Sequence, residues 1–175
     1  MTFFPDMGTI TMVAAGPHVR AVGWLDRDHP FCQGDPPPGF LERLQEFVDK
    51  WAESARLLGF AMFLGSHRCE FCADSHGTGD FGVPFGDVLF VAPMLVGHYV
   101  ECHRYLPPAD FVTAVMRSPN PGTSQYRILI GRFQDSRMFP ADEQRVGDSM
   151  REWAFRESTS ARRSNEPLQP TKAPS

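Results

Sequence analysis

The clearest pattern of hydrophobic and polar positions lies between residues 40 and 59. Apolar residues recur there at the i, i+3, i+4 spacing of an amphipathic helix, at Phe40, Leu44, Phe47, Val48, Trp51, Ala55 and Leu58. Pro38 precedes this stripe and Gly59 follows it, and these residue types commonly begin and end helices. The pattern predicts one long scaffold helix that packs against a flat surface.

Shorter apolar runs predict strands. Residues 9–14 and 19–25 are rich in β-branched and aromatic residues and flank the turn signal Gly16-Pro17, so they predict a β-hairpin. Continuous apolar runs at residues 60–64 and 88–92 predict two buried strands.

The second half of the chain is richer in helical patterns. Residues 94–106 and 109–118 predict two helices separated by Pro107-Pro108, whereas residues 124–133 fit a helix or a strand equally well. Residues 141–155 predict a last helix. Together the elements indicate an α+β fold, with a small, mainly antiparallel sheet and helices on one face.

The same patterns give a domain organisation. Residues 1–8 show no pattern and are expected to be unstructured, and either Met7 or Met12 is a plausible start. Residues 9–155 form one predicted domain, a size that suits the chain's 42% hydrophobic content and 15 Phe residues. Residues 156–175 are rich in Ser, Pro and charge, which predicts a disordered tail.

Composition and charge narrow the class of protein. The net charge is −4, and the last 25 residues hold five Lys or Arg against three Asp or Glu, which leaves twelve against eighteen in the first 150. An acidic folded part argues against nucleic-acid binding, because phosphate backbones attract basic surfaces. No apolar run is long enough for a membrane helix, and the N-terminus lacks the basic region of a signal peptide, so we expect a cytoplasmic protein.

The candidate chemistry lies in a metal-ligand pattern. Cys69-x-x-Cys72 is followed by His98-x4-His103, which gives two Cys and two His with a long middle. Zinc is usually held by four such ligands in a tetrahedron, and a C-x-x-C turn supplies two of them. In a straight helix, residues five apart differ in direction by about 140°. The two histidines therefore converge only if the last helical turn loosens.

Other residues compete for the same role. Cys102 shares a helix face with His98, and His67 and His76 lie close to the cysteine pair, so each is an alternative ligand. If no metal binds, the simplest interpretation of Cys69 and Cys72 is that they are two small hydrophobic residues buried in a turn. His18 and His29 are better explained as ordinary polar residues near turns.

Two further motifs suggest other chemistry. A strand before Cys69-x-x-Cys72 resembles a thioredoxin arrangement in outline, but the glycine-rich stretch that follows does not predict the helix whose dipole activates the first thiol. Residues 77–82 match G-x-G-x-x-G without the preceding strand and following helix that a phosphate loop requires. We interpret residues 77–82 as a flexible turn.

Several stretches together resemble a bacterial family of uncharacterised proteins. They include GSHRCEFC at residues 65–72 and HYVECHRYLPP at residues 98–108, which carry the patterns G-x-H-x-C-x-F-C and H-Y-x-x-x-H-x-Y-x-P-P. The similarity spans residues 19–118. The last residues, NEPLQPTKAPS, resemble the ends of proteins carried on integron gene cassettes, which bears on gene context alone.

The resemblance bears on the choice of ligands. It implies that Cys69, Cys72, His98 and His103 are the recurrent ligand-like residues. It also implies that the position of Cys102 is often occupied by a small residue, which argues against Cys102 as a ligand.

These observations favour a small zinc-stabilised domain that binds a protein or a small molecule and is not an enzyme. The first alternative is a metal-dependent hydrolase in which water is one zinc ligand and Asp74, Asp80, Asp87 or Glu101 is the base. The second is a thiol–disulfide protein that uses the cysteine pair. The side chains of Trp24, His29 and Phe31 are candidates for the rim of a small-molecule pocket. The sequence indicates neither a partner nor an oligomeric state.

Overall fold

A computed structural model of the chain describes residues 2–60, 66–72 and 74–136. These residues form an α+β fold. In chain order the elements are β1 (Val19–Ala21), α1 (Phe40–Asp49), α2 (Trp51–Leu58), β2 (His67–Arg68), β3 (His76–Gly77), β4 (Asp80–Phe85), β5 (Val88–Pro93), α3 (Val96–His103), α4 (Ala109–Arg117), α5 (Ser124–Gly131) and a short 3-10 helix (Gln134–Ser136).

The main sheet has three strands in the order β1-β5-β4. β5 lies in the middle and pairs in parallel with β1 and antiparallel with β4, so this sheet is mixed. The side chains of β4 and β5 are almost entirely buried, which explains why β5 has a continuous apolar sequence. β2 and β3 form a separate antiparallel pair.

Four helices, α1, α2, α4 and α5, contact β4 and bury an aromatic core. Phe47 of α1 stacks on Phe81 of β4 at 6.4 Å between ring centroids and meets the ring of Tyr126 of α5 at 6.0 Å. Phe111 of α4 packs against Phe90 of β5 at 5.7 Å. The apolar stripe at residues 40–58 therefore faces the sheet, as its periodicity predicted.

The predicted long helix is two helices. Lys50 adopts φ −105° and ψ 15°, and its N–H bonds to the carbonyl of Phe47, three residues back. α2 continues the apolar stripe and ends at Gly59, which has φ 65°, as expected. The break does not interrupt the periodicity, so the sequence pattern does not reveal it.

The predicted hairpin of residues 9–14 and 19–25 is wrong. β1 pairs with β5 on one edge and meets residues 7 and 8 on the other, rather than residues 9–14. In that segment the hydroxyl of Thr11 donates to the carbonyl of Ala14 and accepts the N–H of the same residue, at 3.2 and 3.0 Å. This local turn satisfies the backbone groups that a hairpin would have used. The strand partner comes from 70 residues along the chain, beyond the reach of local patterns.

The glycine-rich stretch is not a flexible turn either, since β3 and β4 occupy much of it. A Cβ at Gly79 would lie 2.2 Å from the ring of Trp51, and one at Gly82 would lie 2.8 Å from Leu58 Cδ1. These glycines let α2 approach the backbone of the strand. Pro84 is tolerated because β4 is at the edge of the sheet.

Residues 4–8, expected to be unstructured, lie along the outer edge of β1. The N–H of Met7 donates to the carbonyl of Ala21 at 2.8 Å. The carboxylate of Asp6 accepts the hydroxyl of Tyr105 at 2.8 and 2.9 Å and the N–H of Gly23 at 3.0 Å. Burial raises the pKa of Asp6, and these hydrogen bonds oppose the rise. Short-range patterns missed this segment because its partners are far away in sequence.

The remaining predictions concern residues 109–118 and 124–133, the segments outside the described residues, and membrane-spanning helices. The helix predicted at residues 109–118 is present as α4, and the undecided segment at 124–133 is the helix α5, whose cap residue Thr123 accepts the N–H of Tyr126. The predicted strand beyond residue 60, the last helix, the tail and the boundary between them lie outside the described residues. Among the described helices, none is long and apolar enough to cross a membrane.

Candidate metal centre

The structure brings the two cysteines and the two histidines of the predicted pattern together. The Sγ of Cys69 lies 3.3 Å from Nε2 of His103, and the Sγ of Cys72 lies 3.3 Å from Nε2 of His98. The two Nε2 atoms are 3.2 Å apart, and all four donor atoms lie within 4.8 Å of one another. With zinc–ligand bonds of about 2.0–2.3 Å, a tetrahedral site has edges of about 3.3–3.8 Å. The donor set therefore fits one metal ion.

The cysteine pair is positioned by the short β2–β3 hairpin. His67 pairs with Gly77, and the N–H of Cys69 donates to the carbonyl of Ser75 at 2.8 Å. This pairing closes the loop between the strands and turns both thiols towards α3. Cys69 is 1% exposed and Cys72 is half-buried, so the site lies at the edge of the core.

The histidine pair converges because α3 ends irregularly. Arg104, at φ 56°, is left-handed, and its N–H bonds to the carbonyl of Tyr99, five residues back instead of four. The N–H of Tyr105 bonds to the same carbonyl at 3.0 Å. This loosened last turn is the condition under which His98 and His103 were expected to meet. The backbone leaves the regular helix at Arg104, ahead of Pro107 and Pro108.

Aromatic rings pack around the donors. Phe71, between the two cysteines, meets the ring of His103 at 5.2 Å, that of Tyr99 at 5.9 Å and that of Phe31 at 5.4 Å. Tyr99 is fully buried and lies 6.0 and 6.2 Å from the rings of His98 and His103. We did not predict this packing. Its signal was present in the aromatic positions of the C-x-F-C and H-Y patterns.

The competing ligands do not join the cluster. Cys102 is exposed on α3, His76 is exposed on β3, and His67 is half-buried on β2. Among the described residues, the one group of three or more potential metal ligands comprises Cys69, Cys72, His98 and His103. The two hairpin thiols and two imidazoles already supply a complete tetrahedral set.

The electrostatics of the centre suit metal binding. Burial and the neighbouring ring of His98 lower the pKa of His103 below its usual value, which favours the neutral imidazole that a metal requires. Because Nε2 faces the site in both histidines, coordination through Nε2 requires the ring proton on Nδ1. Two thiolates would balance the charge of a divalent ion.

The three rings considered as candidates for a pocket rim pack against separate neighbours. Trp24 is fully buried against the edge of Phe4. His29 is exposed, stacks on Phe3 at 3.8 Å and bonds to Asp26 at 2.8 Å. Phe31 is half-buried and packs against Phe71, which lies between the two cysteines.

Comparison with known proteins gives one family. A family profile matches residues 2–116, a range that contains all four donors and the N-terminal segment along β1. The chain belongs to the family described as domain of unknown function DUF7919. No curated protein and no solved structure matches the chain. Membership agrees with the expected resemblance to an uncharacterised family.

Proposed function

We propose that this DUF7919 protein is a zinc-stabilised binding module of the cytoplasm, in which Cys69, Cys72, His98 and His103 hold one structural Zn²⁺. The observation that carries this proposal is the convergence of four protein donors within 4.8 Å of one another. The ion would link the β2–β3 hairpin to α3, adding to the contacts of the Phe71 ring with Tyr99 and His103. A reducing compartment would keep both thiols available as ligands.

A structural role is favoured over hydrolysis by the number of donors. Catalytic zinc usually has three protein ligands and an open position for water, whereas structural zinc has four. The candidate bases differ in position, and Asp74 is exposed in the β2–β3 loop, two residues after Cys72. Asp80 is buried at the start of β4, and Asp87 lies in the β4–β5 turn, where its carbonyl accepts from His18 at 3.0 Å. Glu101 alone shares α3 with two of the donors.

The thiol–disulfide alternative has less support from the local backbone. Activation of the first thiol in such proteins depends on a helix N-terminus. Here Cys69 is followed by a turn at residues 70–72 and then by β3. The described partner of each thiol is an imidazole nitrogen at 3.3 Å.

The proposal is tested by metal analysis and thermal unfolding of Cys69→Ser, with Cys32→Ser as the matched control because Cys32 is an exposed thiol outside the cluster. We expect one zinc per chain in the wild type and the control, and no stoichiometric zinc in Cys69→Ser. Structural zinc contributes about 10–16 kcal/mol in small zinc-dependent peptides, comparable to the net stability of a whole domain. The midpoint of unfolding should therefore fall by more than about 10 °C.

Two results would contradict the proposal. A purified wild-type protein without stoichiometric metal would remove its basis. Loss of zinc from Cys69→Ser with unchanged cooperative unfolding would show that the ion does not stabilise the fold. Hydrolysis of a substrate that depends on zinc and on Glu101 would favour the enzymatic alternative.

A further inference from the structure

A groove of about 520 Å³ opens beside the metal centre, between α1 and α3. Leu41, Glu42, Gln45 and Val48 of α1 form one wall, and Gly97, His98 and Glu101 of α3 form the other, with Ser75, His76, Met94 and Leu95 at one end. His98 belongs both to this wall and to the metal cluster. The centre therefore fixes the position of one side of the groove.

The charges of the groove are unbalanced. Glu42 and Glu101 are exposed, one on each wall, and neither has an ion-pair or hydrogen-bond partner among the described residues. No lysine or arginine lines the groove. In contrast, the helical glutamates outside it are paired, Glu46 with Arg43 and Glu53 with Arg127.

The floor of the groove is apolar and accessible. Leu41 and Met94 are half-buried hydrophobic residues that line it. At Gly97 an added Cβ would have only the amide oxygen of Gln45 nearby, at 3.8 Å. Gly97 itself is buried, so Leu41 and Met94 supply the accessible apolar surface. Apolar floor and acidic walls together suit a lysine or arginine side chain, whose aliphatic stem packs on hydrophobic residues while its cationic end meets a carboxylate.

We propose that this groove is the binding surface of the module and that it takes a basic peptide segment of a partner protein, with lysine or arginine interleaved with apolar residues. This proposal specifies what the module binds, and it rests on the proposed function as a zinc-stabilised module. Charge complementarity between the unpaired glutamates and a cationic segment would give the specificity. The apolar floor would contribute binding free energy that salt does not screen.

The test uses zinc-loaded full-length protein and a fluorescein-labelled hexapeptide in which lysine alternates with leucine, followed by fluorescence polarisation. Two comparison peptides replace every lysine by glutamate or every leucine by serine. We expect saturable binding of the lysine–leucine peptide, weaker binding of the serine peptide and no binding of the glutamate peptide. Raising the salt concentration should weaken binding without abolishing it.

Matched variants locate the site. Glu42→Gln with Glu101→Gln should weaken binding about threefold to tenfold, since an exposed ion pair is individually weak. Glu46→Gln with Glu53→Gln changes the net charge equally but lies outside the groove, so binding should remain within about twofold of wild type. Equal effects of the two double variants, or equal binding of the glutamate peptide, would overturn the proposal. So would the absence of saturable binding.

Zinc content, measured on each sample, distinguishes a failure of the proposed peptide groove from a failure of the proposed zinc centre. Stoichiometric zinc without peptide binding refutes the groove and leaves the structural centre intact. Peptide binding that persists in folded protein without zinc refutes the dependence on the metal centre.

Discussion

Asp80 provides the sharpest quantitative prediction. It is the first residue of β4, is only 9% exposed, and its carboxyl has no hydrogen-bond or ion-pair partner among the described residues. Burial raises the pKa of Asp80 from 3.8 to about 7. Above a pH of about 4 the unfolded chain releases this proton while the folded chain retains it. The folded state therefore loses stability progressively up to a pH near 7 and keeps the full penalty at higher pH.

The stability that the folded protein loses through Asp80 at high pH has an upper limit. A difference of about three pKa units, at about 1.4 kcal/mol per unit, corresponds to about 4 kcal/mol at pH 8. Asparagine has the same shape and carries no charge, so Asp80→Asn should be more stable than wild type at pH 8 by up to this amount. The advantage should shrink towards zero as the pH falls to about 4.

Urea unfolding followed by tryptophan fluorescence, from pH 5.5 to 9, measures this difference. Protonation of the metal donors at low pH affects both proteins, so the free-energy difference at each pH isolates Asp80. Asp28→Asn is the control, because Asp28 is exposed. A variant that is less stable than wild type at pH 8, or a difference that does not change with pH, would show that Asp80 is ionised and stabilised in the folded protein.

Other predictions concern packing and the N-terminal segment. Gly79→Ala places a Cβ 2.2 Å from the ring of Trp51 and should cost about 1–3 kcal/mol in chemical unfolding. Gly131→Ala, in a helix with nothing within 4 Å, should instead stabilise the protein by about 0.5–1 kcal/mol, and a loss there would contradict the packing account. Tyr105→Phe leaves the carboxylate of Asp6 with fewer donors and should cost about 0.5–1.5 kcal/mol. Hydrogen exchange at residues 4–8 should then quicken while zinc content stays constant; unchanged exchange would show that this contact does not hold the segment.

The sequence was most informative where chemistry is local. The C-x-x-C spacing indicated two ligands because a tight turn presents both thiols on one side, and the structure places Cys69 and Cys72 in such a turn. The apolar stripe at residues 40–58 and the glycine at position 59 predicted helical structure and its end, since a helix's periodicity and cap are properties of neighbouring residues. The α+β class also followed from these local patterns.

Only the tertiary structure decided which histidines meet the cysteines. His98 and His103 diverge on a regular helix, whereas α3 ends in a loosened turn and their Nε2 atoms lie 3.2 Å apart, while Cys102 stays exposed. β1 likewise pairs with β5, which is distant in sequence, and Asp6 finds Tyr105 nearly a hundred residues away. Local patterns record what a segment prefers by itself, but the partner of a strand, a carboxylate or a ligand is chosen by long-range packing, which buries and aligns groups that are far apart along the chain.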